Sequence, residues 1–303
     1  MMKKTSKALF RLHGWKGTIL FFDGYLYLKY IREYVKVIAT AFKIVGFSLK
    51  KYNSFLFMPA IRYVTHRYHG KILILDDAEK ILKLDVSVEV PREKSEATVS
   101  WDHAYQLIFR HPEEICVVKC ACRDANGHDC EPAHKCIIIG EPYVSFMIEH
   151  NRGAEPKRIS RDEALSLLRT CKEKGYITNA YYKDGVGQQM YAICNCCPEC
   201  CVAFSGHRFF QSHNITESPL GHSGYRPVID YEKCGTRNGD CISKCPFDAL
   251  SLGTTGKPVV DTLKCMGCGI GAVACSSEAI TMEKYTPWGI PLDIHKLAPE
   301  TAK

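Results

Sequence analysis

The sequence predicts an α+β chain with three parts: a basic helical N-terminal region, a mixed, cysteine-rich middle region built around a helix and a hairpin, and a C-terminal unit carrying an internal cysteine repeat. Three observations carry this prediction. Charge is divided, with residues 1–71 carrying a net +12 and the remainder −5. Cysteine is crowded, at 17 of 303 residues, and the first falls at position 116. Cys245-Pro-Phe-Asp-Ala-Leu250 also matches Cys275-Ser-Ser-Glu-Ala-Ile280 at a shift of 30. The chain divides accordingly into residues 1–75, 76–205, a connecting loop at 206–225, 226–285 and a tail at 286–303. A chain of this length can bury a substantial core over two or three domains.

In the first region, Lys29, Arg32, Glu33, Lys36, Lys43 and Lys50 recur at helical spacing, which predicts one helix from Gly24 to Leu49 with a polar stripe and a wide apolar face. A second segment, Asn53–Met58, is expected to end at Pro59. Three occupants suit the apolar face: the body of the protein, an anionic membrane surface reinforced by the Lys and Arg side chains, or nucleic acid, which is the least favoured.

In the middle region, acids at Asp76 and Asp77 mark a helix start. Arg92–Ser100 reads as a linker, Trp101–Arg110 as a short helix, and Ile115–Lys119 as a strand running into Cys120. Ser160 and Glu163 form a capping box ahead of an amphipathic helix that stops at Gly175. Tyr176–Lys183 and Gln188–Cys194 flank Asp184-Gly185, a hairpin signal. Helix followed by hairpin gives this region a winged-helix-like outline.

An odd cysteine count excludes a fully paired disulfide framework, and a chain this long has no need of one. No secretory leader is evident at the N-terminus. Uncharged apolar runs such as Gly17–Phe22, Val37–Phe42 and Ile44–Leu49 are far shorter than the ~20 residues that span a bilayer. The expected setting is a reducing cytoplasm, or the inner face of a membrane through residues 1–75. There, clustered thiols act as metal ligands.

The thiols fall into two regions. Cys120, Cys122, Cys130 and Cys136 form one middle loop, and Cys194, Cys196, Cys197, Cys200 and Cys201 the other. Crowded thiolates repel, and a bound cation or cluster relieves the repulsion. One or two [4Fe–4S] clusters suit nine thiols best. Zinc at Cys196 or Cys197 with Cys200, Cys120 and Cys122 is the lesser alternative. Cys116 and Cys171 read as buried, inert thiols. His128 and His134 lie between cluster cysteines and are the better histidine ligand or proton-relay candidates.

In the C-terminal unit, Cys234, Cys241 and Cys245-Pro246 are followed by Cys265, Cys268 and Cys275. This pattern resembles the bacterial dicluster ferredoxin family, whose motif is C-x2-C-x2-C-x3-C-P given twice, over about 60 of the 303 residues. The resemblance implies that the last cysteine of each motif crosses to the other cluster. One site would then be Cys234, Cys241 and Cys275, and the other Cys245, Cys265 and Cys268. The second cysteine of the first motif is replaced at or near Arg237 and the third of the second motif at Gly271, so each site has three thiolates. Four outcomes remain open: an oxygen ligand completing a [4Fe–4S] cluster, with Asn238 and Asp240 nearby; a [3Fe–4S] cluster; a fourth ligand from the middle cysteines; or a unit that binds nothing.

The whole arrangement is similar to uncharacterised iron–sulfur proteins of anaerobes, which implies a cofactor class and no reaction. The leading functional expectation is an electron-transfer protein passing electrons between redox partners. One alternative is an oxidoreductase or subunit with an open-site cluster, in which Arg123, Asp124, His128 and His134 would serve. The other is a cluster-based redox sensor. The chain contains neither a dinucleotide fingerprint nor a phosphate-binding loop.

Overall fold

The computed structural model describes residues 3–13, 17–51, 59, 67–99, 106–213, 218–235 and 239–298. The expected segment Asn53–Met58 lies outside them, as do residues 101–105 of the expected 101–110 helix. The α+β character holds. A seven-stranded sheet forms the centre, helices cover both faces, and the cysteine repeat makes two small two-stranded sheets at one side.

The central strands are β1 (Tyr68–Ile72), β4 (Ile115–Lys119), β5 (His134–Ile139), β6 (Lys157–Arg158), β7 (Ile177–Lys183), β8 (Met190–Cys196) and β9 (Leu220–Gly221), in the order β6-β4-β5-β8-β7-β1-β9; β2 (Val88–Glu89) and β3 (Ile108–Phe109) lie outside this sheet. Neighbours in the sheet are antiparallel except β1 and β9. Alternation along each strand sends side chains to two cores. Cys116, Val118, Ile138, Tyr181 and Ala192 pack on one face. Ile115, Ile137, Ile139, Tyr182 and Ile193 pack on the other, under the helices at 75–82 and 161–173. The predicted hairpin is β7–β8, closed by a 3-10 turn at Asp184–Val186. It lies in the middle of the sheet with every residue of β7 buried, so it offers no wing.

The N-terminal region forms α1 (Lys4–His13), α2 (Thr18–Lys29) and α3 (Ile31–Lys51); the expected single helix is broken at Tyr30. These helices cover the first face. Leu9, Phe21, Tyr27, Leu28 and Ile31 are buried in its core, and Tyr27 Oη lies 2.6 Å from Tyr191 Oη. A charged group pins α2 at the β7 end: Lys183 Nζ lies 2.7 Å from Asp23, and Arg67 Nε lies 2.6 Å from Asp184. On α3, Arg32 Nε lies 2.6 Å from Asp124 and Nη1 donates to the Gly153 carbonyl at 3.0 Å. The body therefore covers much of the apolar face, while Ile19, Phe22, Leu26, Val37 and Ile44 stay exposed. Among the described residues no helix is long and apolar enough to cross a membrane.

Local expectations met mixed outcomes. The helix at Leu75–Leu82 carries Asp76 and Asp77 in its first turn, and Ser160 caps Arg161–Glu173 through the full capping box. Arg92–Thr98 is a helix, not a linker, and β3, within the expected 101–110 helix, is a strand that pairs with β2. The expected loop at 206–225 contains the end of the Val202–Ser212 helix and β9, which joins the sheet.

In the repeat, β10 (Tyr225–Ile229) pairs with β13 (Ile280–Lys284), and β11 (Leu250–Leu252) with β12 (Pro258–Val260). The 30-residue shift is visible in the backbone. Gly239 and Gly269 both have positive φ and precede the short helices Asp240–Ser243 and Ile270–Ala274, and Asp248 and Glu278 share φ values of 51° and 50°. The unit is tied to the body by Tyr225 Oη, which donates to Asp77 at 3.2 Å, and by the edge-to-face rings of Phe204 and Phe247.

Close approach of α2 to the 184–186 turn depends on Gly24, where a Cβ would stand 1.4 Å from the Gly185 carbonyl oxygen. Both partners are backbone, so neither can yield as a side chain would. Gly24→Ala should therefore cost at least about 1–3 kcal/mol and loosen α1 and α2 selectively. Thermal melting and limited proteolysis within residues 1–30 read this out.

Candidate metal centres

The largest gathering of sulfur forms on the sheet face beneath α2 and α3. Register explains most of it. Cys136 on β5 is directly opposite Cys194 on β8, and Cys196 follows at the two-residue strand period, so all three point to one side. Cys120 leaves β4 just after an irregularity at Val118/Lys119, and its amide donates to the Ala133 carbonyl. Cys122 sits on the Ala121–Asn126 helix, and Cys201 precedes the Val202–Ser212 helix.

The six sulfurs form a closed ring of neighbours. Cys120 neighbours Cys122 and Cys136, Cys136 neighbours Cys194, Cys122 neighbours Cys201, and Cys201 neighbours Cys196, on which the Cys194 sulfur also acts. Tyr181 Oη stands 3.5 Å from Cys196 Sγ and 3.7 Å from Cys201 Sγ. These sulfurs line a cavity of about 200 Å³, walled on the head side by Tyr27, Ile31, Tyr34 and Val35. Hydrogen bonds from two neighbouring thiols hold Cys120 and Cys201 below the usual thiol range, and the same bonds push Cys122, Cys136 and Cys196 up. The opposed directions have one cause: so many thiolates cannot coexist unscreened in a buried site.

A second set lies beside the first. Cys130, Cys197 and Cys200 place their sulfurs within 4.8 Å of one another. Lys135, fully buried on β5, donates from Nζ to Cys130 Sγ at 2.7 Å and stands over the Tyr176 ring. Burial alone would lower the Lys135 ammonium, but the Cys130 bond and nearby Cys120 outweigh it and raise it. Burial pushes the Cys200 thiol up, and Cys130 and Cys197 add to this. Asn126 Nδ2 donates to the Cys200 carbonyl at 2.8 Å and ties the two cysteine loops together. Among the described residues Cys197 and Cys200 gather most closely with Cys130, while both also line the cavity shared by Cys120, Cys122 and Cys196.

The repeat holds two further sets. Burial raises Cys241, and the Cys275 and Cys234 sulfurs reinforce it; burial likewise raises Cys265 to about 12, with Cys268 and Cys245 beside it. Equivalent backbone amides serve both sets, Ala249 N–H donating to Cys245 Sγ and Ala279 N–H to Cys275 Sγ, each at 3.3 Å. Burial would raise the Cys275 thiol, but the Ser277 hydroxyl and the amides of 279, 277 and 280 outweigh it and hold it low. Thiols in threes, bonded by backbone N–H groups, fit the donor chemistry of an iron–sulfur core.

Other candidates are placed elsewhere. Burial pushes Cys116 and Cys171 each up to about 12. Cys171 nonetheless packs against Cys197, Cys200 and Tyr176, a proximity that sequence spacing gave no sign of. His134 Nε2 bonds the Glu155 carbonyl at 3.1 Å, and His128 is exposed on a turn; among the described residues no histidine joins a thiol set. Arg123 latches its own loop through the Cys130 carbonyl, Asp129 and Glu131, and Asp124 is paired with Arg32. Asp240 is exposed at the start of the Asp240–Ser243 helix, and Asn238 lies outside the described residues. Sequence reasoning did not find Lys135, Tyr181 or Lys172, because nothing but the fold brings them to sulfur.

Comparison with known proteins agrees on the cofactor class. Over 44 residues, 14% of this chain, the sequence is 43% identical to one component of the Na(+)-translocating ferredoxin:NAD(+) oxidoreductase complex of Acetobacterium woodii. Over 92 residues, 28% of the chain, it is 33% identical to an uncharacterized ferredoxin of Methanocaldococcus jannaschii, and over 99 residues it is 28% identical to the putative oxidoreductase UacF of Escherichia coli. The matched segments span 13%, 59% and 14% of those proteins. No family model and no solved structure matches the chain. Together with the gathered thiols, these similarities support an iron–sulfur redox protein.

If the sets are ligands and the two isolated thiols are not, Cys116→Ser and Cys171→Ser should leave the metal content of anaerobically purified protein unchanged. Cys201→Ala, which removes the sulfur between Cys122 and Cys196, should lower it. Metal analysis per chain decides between these outcomes.

Proposed function

We propose that this chain is a multi-cluster electron carrier that passes single electrons between redox partner proteins. The observation that carries the reading is the collection of fifteen of the 17 cysteines into four buried or half-buried sets, two in the sheet core and two in a ferredoxin-like repeat. When bound, iron–sulfur groups supply one-electron storage without proton movement. The chain supplies the thiolates, the amide donors to sulfur and the exclusion of water. Cys234, Cys241 and Cys275 would hold one group of the repeat, and Cys245, Cys265 and Cys268 the other, as [4Fe–4S] with a non-cysteine ligand or as [3Fe–4S]. The ring of Cys120, Cys122, Cys136, Cys194, Cys196 and Cys201 has enough thiols for a [4Fe–4S] cluster.

A specific observation favours zinc as a second reading for Cys130, Cys197 and Cys200. Zn–S bonds near 2.3 Å place tetrahedral sulfurs about 3.8 Å apart, within the 4.8 Å that bounds this set. The redox partners follow from the class, and the component of an oxidoreductase complex among the relatives supports them. For the N-terminal helices we propose contact with an anionic membrane surface through the exposed Ile19, Phe22 and Leu26, which lie three and four residues apart on α2, with Lys29 at its end.

Anaerobic purification with iron, sulfide and zinc analysis, followed by EPR of oxidised and reduced states, tests the electron-carrier reading. Brown protein with several irons per chain and a spin-half signal on reduction is expected, and a nearly isotropic oxidised signal would mark [3Fe–4S]. Colourless, folded protein with freely alkylated thiols would end the reading. For the membrane contact, the full chain should float with anionic liposomes and not with neutral ones, and Ile19→Ser/Phe22→Ser/Leu26→Ser should abolish flotation.

A further inference from the structure

The repeat by itself would make its two cysteine sets near twins, since their glycines, short helices and amide-to-sulfur bonds superimpose at a 30-residue shift. One side chain breaks the equivalence, and it comes from outside the repeat. Lys172, in the last turn of the 161–173 helix, is almost wholly buried and donates from Nζ to the Cys268 carbonyl at 2.6 Å. Among the described residues its ammonium forms no ion pair with a carboxylate. The charge-bearing group that acts on it is the Cys268 thiol. An ammonium removed from water is costly unless anionic charge answers it. A metal–thiolate group at Cys245, Cys265 and Cys268 would provide that charge. The other set has a different setting. Cys268 is buried and Cys245 and Cys265, though half-buried, pack against the main core, whereas Cys234, Cys241 and Cys275 are all half-buried outside it and no residue of the helix that carries Cys241 is buried. Water and salt screen any cation near it.

We propose that the Lys172 ammonium raises the reduction potential of the group at Cys245, Cys265 and Cys268 above that of its twin, so that electrons entering at the Cys234, Cys241 and Cys275 side run inward to the middle region. The inference rests on the electron-carrier reading of the repeat. Its physical basis is direct: reduction adds one negative charge to a group, and a fixed cation nearby in a medium of low dielectric constant favours the more negative state. The step balances as a single electron transfer. The outer group, reduced by an external one-electron donor protein, is oxidised as the inner group is reduced, and no bond or proton moves. The direction also makes structural sense. The helix that carries Lys172 carries Cys171 one residue earlier, packed against Cys197 and Cys200, so the inner group faces the middle thiols while its twin faces solvent.

The test is an anaerobic, EPR-monitored redox titration of the full chain. Cys268→Ala and Cys275→Ala assign the waves: the inner wave should vanish in the first and persist in the second, and in wild type it should be the higher of the two. Lys172→Met keeps the bulk and removes the charge. It should move the inner wave down by a factor of ten or more in the exchange equilibrium, ~59 mV for a one-electron couple, and leave the outer wave in place. Lys172→Arg, which keeps the charge, should restore most of the shift. An inner wave that lies below the outer one in wild type, an unmoved wave in Lys172→Met, or equal shifts in the Met and Arg variants would each overturn the proposal. If Lys172→Met fails to fold, the order of the two waves in the Cys268→Ala and Cys275→Ala comparison still decides it. Absence of any iron at the repeat would be a different result, refuting the electron-carrier reading itself.

Discussion

Removing fifteen thiols from bulk water and setting them side by side is the constraint around which this fold is arranged. A buried thiolate needs a compensating cation or donor, and neighbouring thiolates need it more. The structure answers in three ways. Thiols shift one another's protonation around the ring, backbone amides of the repeat aim at sulfur, and buried ammonium groups stand against the second set and the inner half of the repeat. Each device has its full effect only if positive charge enters the sets, and iron or zinc would bring it.

The same constraint accounts for the N-terminal helices. A sheet face carrying three sulfurs, with three more at its edge, cannot be left to solvent, yet it is too polar to be closed by aliphatic packing alone. Tyrosines form the transition. Tyr27, Tyr181 and Tyr191 are buried and Tyr68 is half-buried beside them, with rings that fill space and hydroxyls that meet one another or sulfur. The Lys183, Asp23, Arg67 and Asp184 group then fixes α2 at the rim, where each charge finds a partner. The basic character of the region serves two ends: a few cations, such as Lys3, Arg32 and Arg67, are used in docking, while Lys4 and Lys36 remain toward solvent.

How much of this could be read in the sequence depended on the range of the interaction concerned. The capping box at Ser160, the acids opening the 75–82 helix, the hairpin at 177–196 and the 30-residue repeat are local patterns, and each appears where the pattern placed it. The linker at 92–100 was misread because a Lys/Glu-rich run looks solvated whether or not it coils, and Arg92 and Glu96 form an i,i+4 pair on an exposed turn of helix. The nine middle thiols were visible as candidates, but their division into six and three was not. That division depends on which strand lies beside which, and β5 beside β8 is a pairing of segments some sixty residues apart. Lys135 and Lys172 were invisible for the same reason.

The pairing of Cys136 with Cys194 also gives the sheet a role beyond scaffolding. Because a strand presents alternate residues to opposite sides, sliding β8 past β5 by a single position would turn Cys194 and Cys196 toward the aliphatic layer and bring Asn195 to the sulfur side. The alignment of two backbones is thus what counts the donors at this centre. Cofactor capture and correct strand alignment become one event, and a misaligned molecule would be left without a third of the ring.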